Sequence, residues 1–264
     1  MSDDFLLHVV QDGPPEAPPL LLVHGSGASG ACWEPVVAAL AERRRVIRVD
    51  LPGCGQSPPA SSYGVPEQAG EVAAALDGLG AGAVDVVGHS SGGYVATALA
   101  ERRRDLVRSL VLVSTGPVPE ALSPQPLLLR ALLAPPFGPL VWRVRSAAMI
   151  RRGISVTAAG PVRVPEGLVA DVRGMSYRTM RAVLRGNGAY IAAKGVPERL
   201  AGLGVPVLVV FGAADPRWDP VSARRYEVVP GARVEMLPGV GHMPMLEAPE
   251  KVAGLVLGFV APGR

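Results

Sequence analysis

The sequence predicts a doubly wound α/β fold with a mostly parallel sheet, and three observations carry that expectation. Short, largely apolar runs recur along the chain, some of them apolar at every position. Segments of helical period fall between them. Glycine and proline, 32 and 27 of the 264 residues, sit at the joints rather than pooling in one block. Strands apolar on both faces belong in a parallel sheet covered by helices on both sides, and β–α alternation makes right-handed crossovers the economical topology.

Taken in order, Phe5 to Val10 reads as an antiparallel edge strand. Leu20 to Val23 is a buried strand ending at His24-Gly25, and Val46 to Val49 is another, ending at Asp50. Val84 to Val87 runs into Gly88, Leu110 to Val113 into Ser114, Val207 to Phe211 into Gly212, and Val234 to Leu237 into Pro238-Gly239. Helices are expected over Pro35 to Arg44, Pro66 to Leu79, Gly92 to Arg103, Pro220 to Val228 and Pro249 to Val260. Proline at or near several of these starts suits a first turn, where its missing N–H costs nothing.

One stretch breaks the rhythm. Residues 116–195 show no clear strand, start proline-rich, and carry an apolar run at Leu127 to Leu133. The expected organisation is therefore a core of residues 1–115 and 196–264, with residues 116–195 as a helical lid inserted after the Leu110–Val113 strand. Loops at the carboxyl ends of parallel strands are where such sheets bind ligands, so this insertion is placed to roof a site. Leu127, Leu128, Leu132, Leu133, Phe137, Trp142 and Met149 are candidates to line an apolar substrate pocket, or else to form the insertion's own core.

Composition narrows the function. The chain is 48% hydrophobic and 19% charged, which suits one compact domain with a large core. A net charge of +3 is too small to argue for nucleic acid. The charge is uneven: residues 120–195 hold eleven Arg and Lys against Glu120, Glu166 and Asp171, a local +8. Two cysteines, Cys32 and Cys54, make neither a disulfide framework nor a zinc site. The acidic opening MSDDFLLHVV has no secretory pattern, and no apolar run approaches the roughly 20 residues that span a bilayer. A cytoplasmic protein is expected. No phosphate-cradling loop or dinucleotide spacing occurs, so no cofactor is expected.

The strongest local signal is Gly88-His89-Ser90-Ser91-Gly92-Gly93, a G-x-S-x-G between a predicted strand and a predicted helix. A nucleophile at the tip of such a turn has strained dihedrals, and its neighbours must be small. The turn also aims the serine at a helix N-terminus, which favours developing negative charge. A serine hydroxyl needs a base, and the chain has four histidines. His8 falls in the opening strand, His24 starts a glycine-rich turn, and His89 points away from the serine hydroxyl. His242, in a loop after the last predicted strand, is free to reach the carboxyl edge of the sheet. Asp215 and Asp219 both follow the Val207–Phe211 strand. Asp219 precedes Pro220 and reads as a helix cap.

His24-Gly25-Ser26-Gly27, Asp50-Leu51-Pro52-Gly53-Cys54-Gly55-Gln56-Ser57, the Ser90 motif, Gly212-Ala213-Ala214-Asp215 and Gly241-His242 together resemble the α/β-hydrolase superfamily, in its order and over nearly the whole chain. The resemblance implies an eight-stranded, mostly parallel core with a helical cap, and a triad of Ser90, Asp215 and His242. It implies an oxyanion hole from the backbone N–H groups of Ser26 and Ser91. The expected reaction is hydrolysis of a carboxylic ester or lactone. A thioesterase has the same chemistry, and the basic insertion would suit an acidic acyl carrier protein as partner. A lyase, peroxidase-like or ligand-binding role on the same fold is the third reading. Haloalkane dehalogenases and epoxide hydrolases are disfavoured, since those relatives place Asp where this chain has Ser90.

Overall fold

A computed structural model describes residues 7–260. Seven strands form one sheet: β1 (Val9–Asp12), β2 (Pro19–Val23), β3 (Arg45–Val49), β4 (Val84–His89), β5 (Val107–Val113), β6 (Val207–Gly212) and β7 (Arg233–Leu237). Their order is β1-β3-β2-β4-β5-β6-β7. β1 pairs antiparallel with β3 and every other pairing is parallel.

Helices follow the strands: α1 (Glu34–Ala41), α2 (Val65–Gly78), α3 (Gly92–Arg102), α4 (Leu127–Leu133), α5 (Gly138–Val144), α6 (Ala147–Ser155), α7 (Glu166–Gly174), α8 (Tyr177–Ala193), α9 (Val196–Leu200), α10 (Pro244–Glu247) and α11 (Pro249–Phe259). The pleat sorts each central strand into two cores. Leu21, Val23, Leu110, Leu112, Val209 and Phe211 face α2, α3 and α9, whereas Leu20, Leu22, Val111, Val113, Leu208 and Val210 face α1 and α11. This is why those runs read as apolar at every position.

The differences from expectation have local causes. The resemblance implied eight strands, and the described residues form seven. Of the expected edge strand, Phe5 and Leu6 lie outside the described residues. His8 precedes β1: its N–H meets Ser57 Oγ and its carbonyl accepts the Asp50 N–H. β5 starts three residues before the apolar run, because Ser109 is paired through its hydroxyl with Asp85 of β4 at 2.7 Å. Asp85 also meets the buried guanidinium of Arg44, so a charge inside the sheet is matched rather than orphaned. Pro220–Val228 is a 3-10 segment instead of an α-helix. Between β5 and β6, α4 to α8 follow one another with no named strand among them.

Candidate active site

The carboxyl ends of β2, β4, β6 and β7 bring together four segments that are distant in sequence. At the end of β4, Ser90 adopts φ 51°, a left-handed conformation rare for a residue with a Cβ. The turn is fixed on both sides: the Ser90 N–H donates to the Val113 carbonyl at 2.8 Å, and the Ser90 carbonyl accepts from Thr115 Oγ1 at 3.0 Å. The flanking glycines are required by space. A Cβ on Gly92 would lie 2.4 Å from the Val23 carbonyl oxygen, and one on Gly93 would lie 2.1 Å from Thr115 Oγ1.

Ser90 Oγ is 3.1 Å from His242 Nε2, and His242 Nδ1 is 2.8 Å from Asp215 Oδ2. All three residues are buried. The other carboxylate oxygen of Asp215 accepts the N–H groups of Arg217 at 2.8 Å and Trp218 at 3.2 Å, so the acid is held against rotation. Asp219 turns elsewhere, and its Oδ1 accepts the Val221 N–H.

His242 is held through its backbone. Its N–H donates to the Thr157 carbonyl at 2.8 Å, and its carbonyl lies 2.8 Å from His89 Nε2. One carboxylate, that of Glu247, accepts the N–H groups of Gly241 and Met243 on either side of it, and of Ala159 as well. His89 is neutral: burial drives its pKa down to about 3, which leaves Nε2–H as the donor to the His242 carbonyl. His24 is likewise lowered by burial, and its Nε2 accepts the Leu51 N–H at 2.9 Å. Two of the four histidines thus brace loops. A third, His8, meets Asp50 Oδ2 at 3.0 Å.

The Gly25–Gly27 turn lies against the serine: a Cβ on Gly25 would come within 3.1 Å of Ser90 Cβ. Ser26 Oγ is 2.8 Å from Ser91 Oγ and accepts from Asn187 Nδ2 of α8 at 2.8 Å. This bridge clamps together the two loops that carry the candidate oxyanion donors. Neither Cys32 nor Cys54 is placed for chemistry. Both are buried and unpaired, and burial pushes the Cys54 thiol up to about 12.

A cavity of about 460 Å³ opens over Ser90. Its floor is Gly25 to Ala28, His89, Ser90, Arg217, His242 and Met243. Its other wall comes from α4 to α8, including Leu132, Leu133, Trp142, Met149, Leu168 and Met180. Four of the seven apolar candidates therefore line it. Leu127, Leu128 and Phe137 do not; all three are mostly exposed. The reason is geometric. α4 is two turns long, and its second turn reaches the cavity while its first overhangs. Val141 and Trp142 of α5 line the cavity, whereas Phe137, which caps the start of α5, stands in solvent.

No group of three or more His, Cys, Asp or Glu side chains fit to hold a metal occurs among the described residues. Also among them, no helix is long and apolar enough to cross a membrane.

The model of the alpha/beta hydrolase family matches residues 20–255. The chain is 30% identical to a pimeloyl-[acyl-carrier protein] methyl ester esterase of Aeromonas hydrophila, over 93% of this chain and 96% of that one. It is also 30% identical to an uncharacterized protein of Mycobacterium tuberculosis, over 92% of this chain and 75% of that one. Among solved structures, the esterase RhEst1 from a Rhodococcus superposes with a TM-score of 0.78 at 26% identity, covering 97% of this chain and 94% of that one.

Proposed function

The chain belongs to the alpha/beta hydrolase family, and on that premise we propose that it hydrolyses carboxylic esters or lactones of small to medium apolar substrates through an acyl-enzyme on Ser90. The observation that carries this reading is the continuous chain from Ser90 Oγ through His242 to Asp215, buried beneath an apolar cavity.

His242 Nε2 takes the Ser90 proton as Oγ attacks the substrate carbonyl. Asp215 holds the Nδ1–H tautomer and stabilises the imidazolium that forms. The N–H groups of Ser26 and Ser91 receive the oxyanion. Among the described residues neither donates to another protein group, which leaves both free for that purpose. His242 then passes its proton to the leaving alkoxide, the C–O bond breaks, and water activated by the same imidazole releases the acyl group as its acid. Leu132, Trp142 and Met149 hold the acyl chain, and residues 116–195 act as the lid over a core of residues 1–115 and 196–264.

A second reading is hydrolysis of an acyl group borne by an acidic carrier protein. Its support is the local +8 charge of residues 120–195, together with the printed activity of the Aeromonas relative. Turnover of carrier-linked substrate that far exceeds turnover of the free ester, and that falls steeply with salt, distinguishes it.

The primary test is labelling with a fluorophosphonate, followed by mass spectrometry of the adduct. A single adduct on Ser90, slowed severely by His242→Ala, is expected. A folded protein left unlabelled at Ser90 by a small probe removes the acyl-enzyme mechanism.

A further inference from the structure

Large apolar side chains stand in solvent along α4 and α5. Leu127 and Leu128 are 78% and 82% exposed, and Phe137, Leu140 and Val144 are 60%, 63% and 64% exposed. Phe137, which caps α5, lies by helical spacing on the same side as Leu140 and Val144, and α4 packs directly on α5. Single exposed leucines are ordinary, but five large apolar side chains gathered on two adjoining helices mark a contact surface.

The exposed charge on the adjoining helices is positive: Arg143 on α5 and Arg178 on α8, which packs against α5, are both exposed. The Arg181 guanidinium lies over the ring of Tyr177, whose hydroxyl donates to the Leu133 carbonyl at the end of α4. The few carboxylates of residues 116–195 leave this charge unopposed. Glu166 is paired with Arg151, Asp171 accepts the Ser29 hydroxyl, and Glu120 precedes α4 by a full loop.

We propose that the outer face of α4 and α5 docks on an anionic lipid surface, inserting its aliphatic side chains between headgroups that its arginines neutralise. An aliphatic face bordered by cations is the pattern of helices that lie in a membrane interface. A protein partner would more often be met by aromatic and polar anchors, and the face has one Phe and no Tyr or Trp. The surface is also continuous with the cavity, because Leu132 and Met149 line it and are themselves 45% and 52% exposed. An acyl chain leaving a bilayer at this face would meet Leu132 and Met149 on its way into the cavity. The docking does not depend on the ester chemistry, since the residues that make it lie outside the catalytic floor.

The test is co-sedimentation of the full chain with phosphatidylglycerol vesicles and with phosphatidylcholine vesicles, at low and high salt. The double variant Leu128→Asp with Phe137→Asp is run beside the unaltered protein. Binding to phosphatidylglycerol is expected, much weaker binding to phosphatidylcholine, and a loss of about tenfold or more in the double variant. Turnover of a water-soluble nitrophenyl ester by that variant should stay unchanged, which shows that it is folded. Failure to bind phosphatidylglycerol overturns the proposal. So does equal binding by the double variant, which would reduce the effect to adsorption of arginines. A dimer in light scattering that the same double variant dissociates would assign the face to a second copy instead.

Discussion

The two walls of the cavity differ in what holds them. On the floor, Ser90, Asp215 and His242 are buried and joined to one another, and each is tied to backbone on neighbouring segments. On the roof, Leu132, Trp142 and Met149 offer only apolar surface to the cavity, and two of them stand half in solvent. Hydrogen bonds fix the floor to a narrow set of positions. The roof faces the cavity through dispersion and burial alone, which tolerate rearrangement as long as volume is kept, and hydrogen bonds tie it at its edges, at Thr157, Asp171 and Asn187. The proposed chemistry needs the first kind of wall. Choice among acyl groups, as proposed, needs only the second.

The sharpest way to break this contrast is at the floor. Ser90→Ala and His242→Ala should each lower kcat by about 10⁴ or more with little change in Tm. Steady-state turnover of a soluble ester, with thermal unfolding alongside, checks this. Asp215→Asn keeps the shape but loses the charge and the tautomer control, so kcat should fall by about 10²–10⁴. If these losses were equalled by roof substitutions, the division of labour would be wrong.

Roof substitutions should act on selectivity instead. Met149→Phe fills space near the mouth and should shift the ratio of kcat/KM between short and long acyl esters by about tenfold, with the best substrate turning over at a similar kcat. A panel of nitrophenyl esters of increasing chain length reads this directly. A uniform loss across the panel would put Met149 on the side of the chemistry.

The smallest effect concerns stability. His89 has its pKa lowered to about 3 by burial, against 6.5 in the unfolded chain. As pH falls below 6.5 the unfolded state takes a proton that the folded state refuses. Stability is thus fully present above about 6.5 and is lost toward 3, at up to about 1.4 kcal/mol per pH unit. His24 acts in the same direction. His89→Gln keeps a side-chain N–H for the His242 carbonyl without the titration, so its stability should depend less on pH in urea melts between about pH 4 and 6.5. An unchanged slope would show that His89 titrates normally in the folded protein.

Much of the floor is legible in the sequence because its parts are local. The Ser90 turn, the Gly212–Asp215 loop and the Gly241-His242 pair each announce themselves within a few residues, and strands buried on both faces announce the sheet. What holds the floor is not legible. Asn187 meets Ser26 across 161 residues of chain, and Glu247 grips three amides by geometry that no spacing encodes. The roof is legible only as composition. Leu128 and Leu132 look alike in the run Leu127–Leu133, and tertiary placement of α4 alone decides that one reaches the cavity and the other does not. The start of β5 escaped for a related reason, since Ser109 belongs to the sheet through a polar partner rather than through apolar character.

The hydrogen bond from the His242 N–H to the Thr157 carbonyl has a mechanical consequence. It fastens the loop after α6 to the proposed base, while Ser29 fastens α7 and Ser26 fastens α8 to the loop beside Ser90. A wholesale swing of residues 116–195 would drag the imidazole out of register. The described hydrogen bonds of α4 and α5, by contrast, stay within the same segment. Movement of α4 and α5 would therefore leave the proposed base in register with Ser90, whereas movement of α6 to α8 would not.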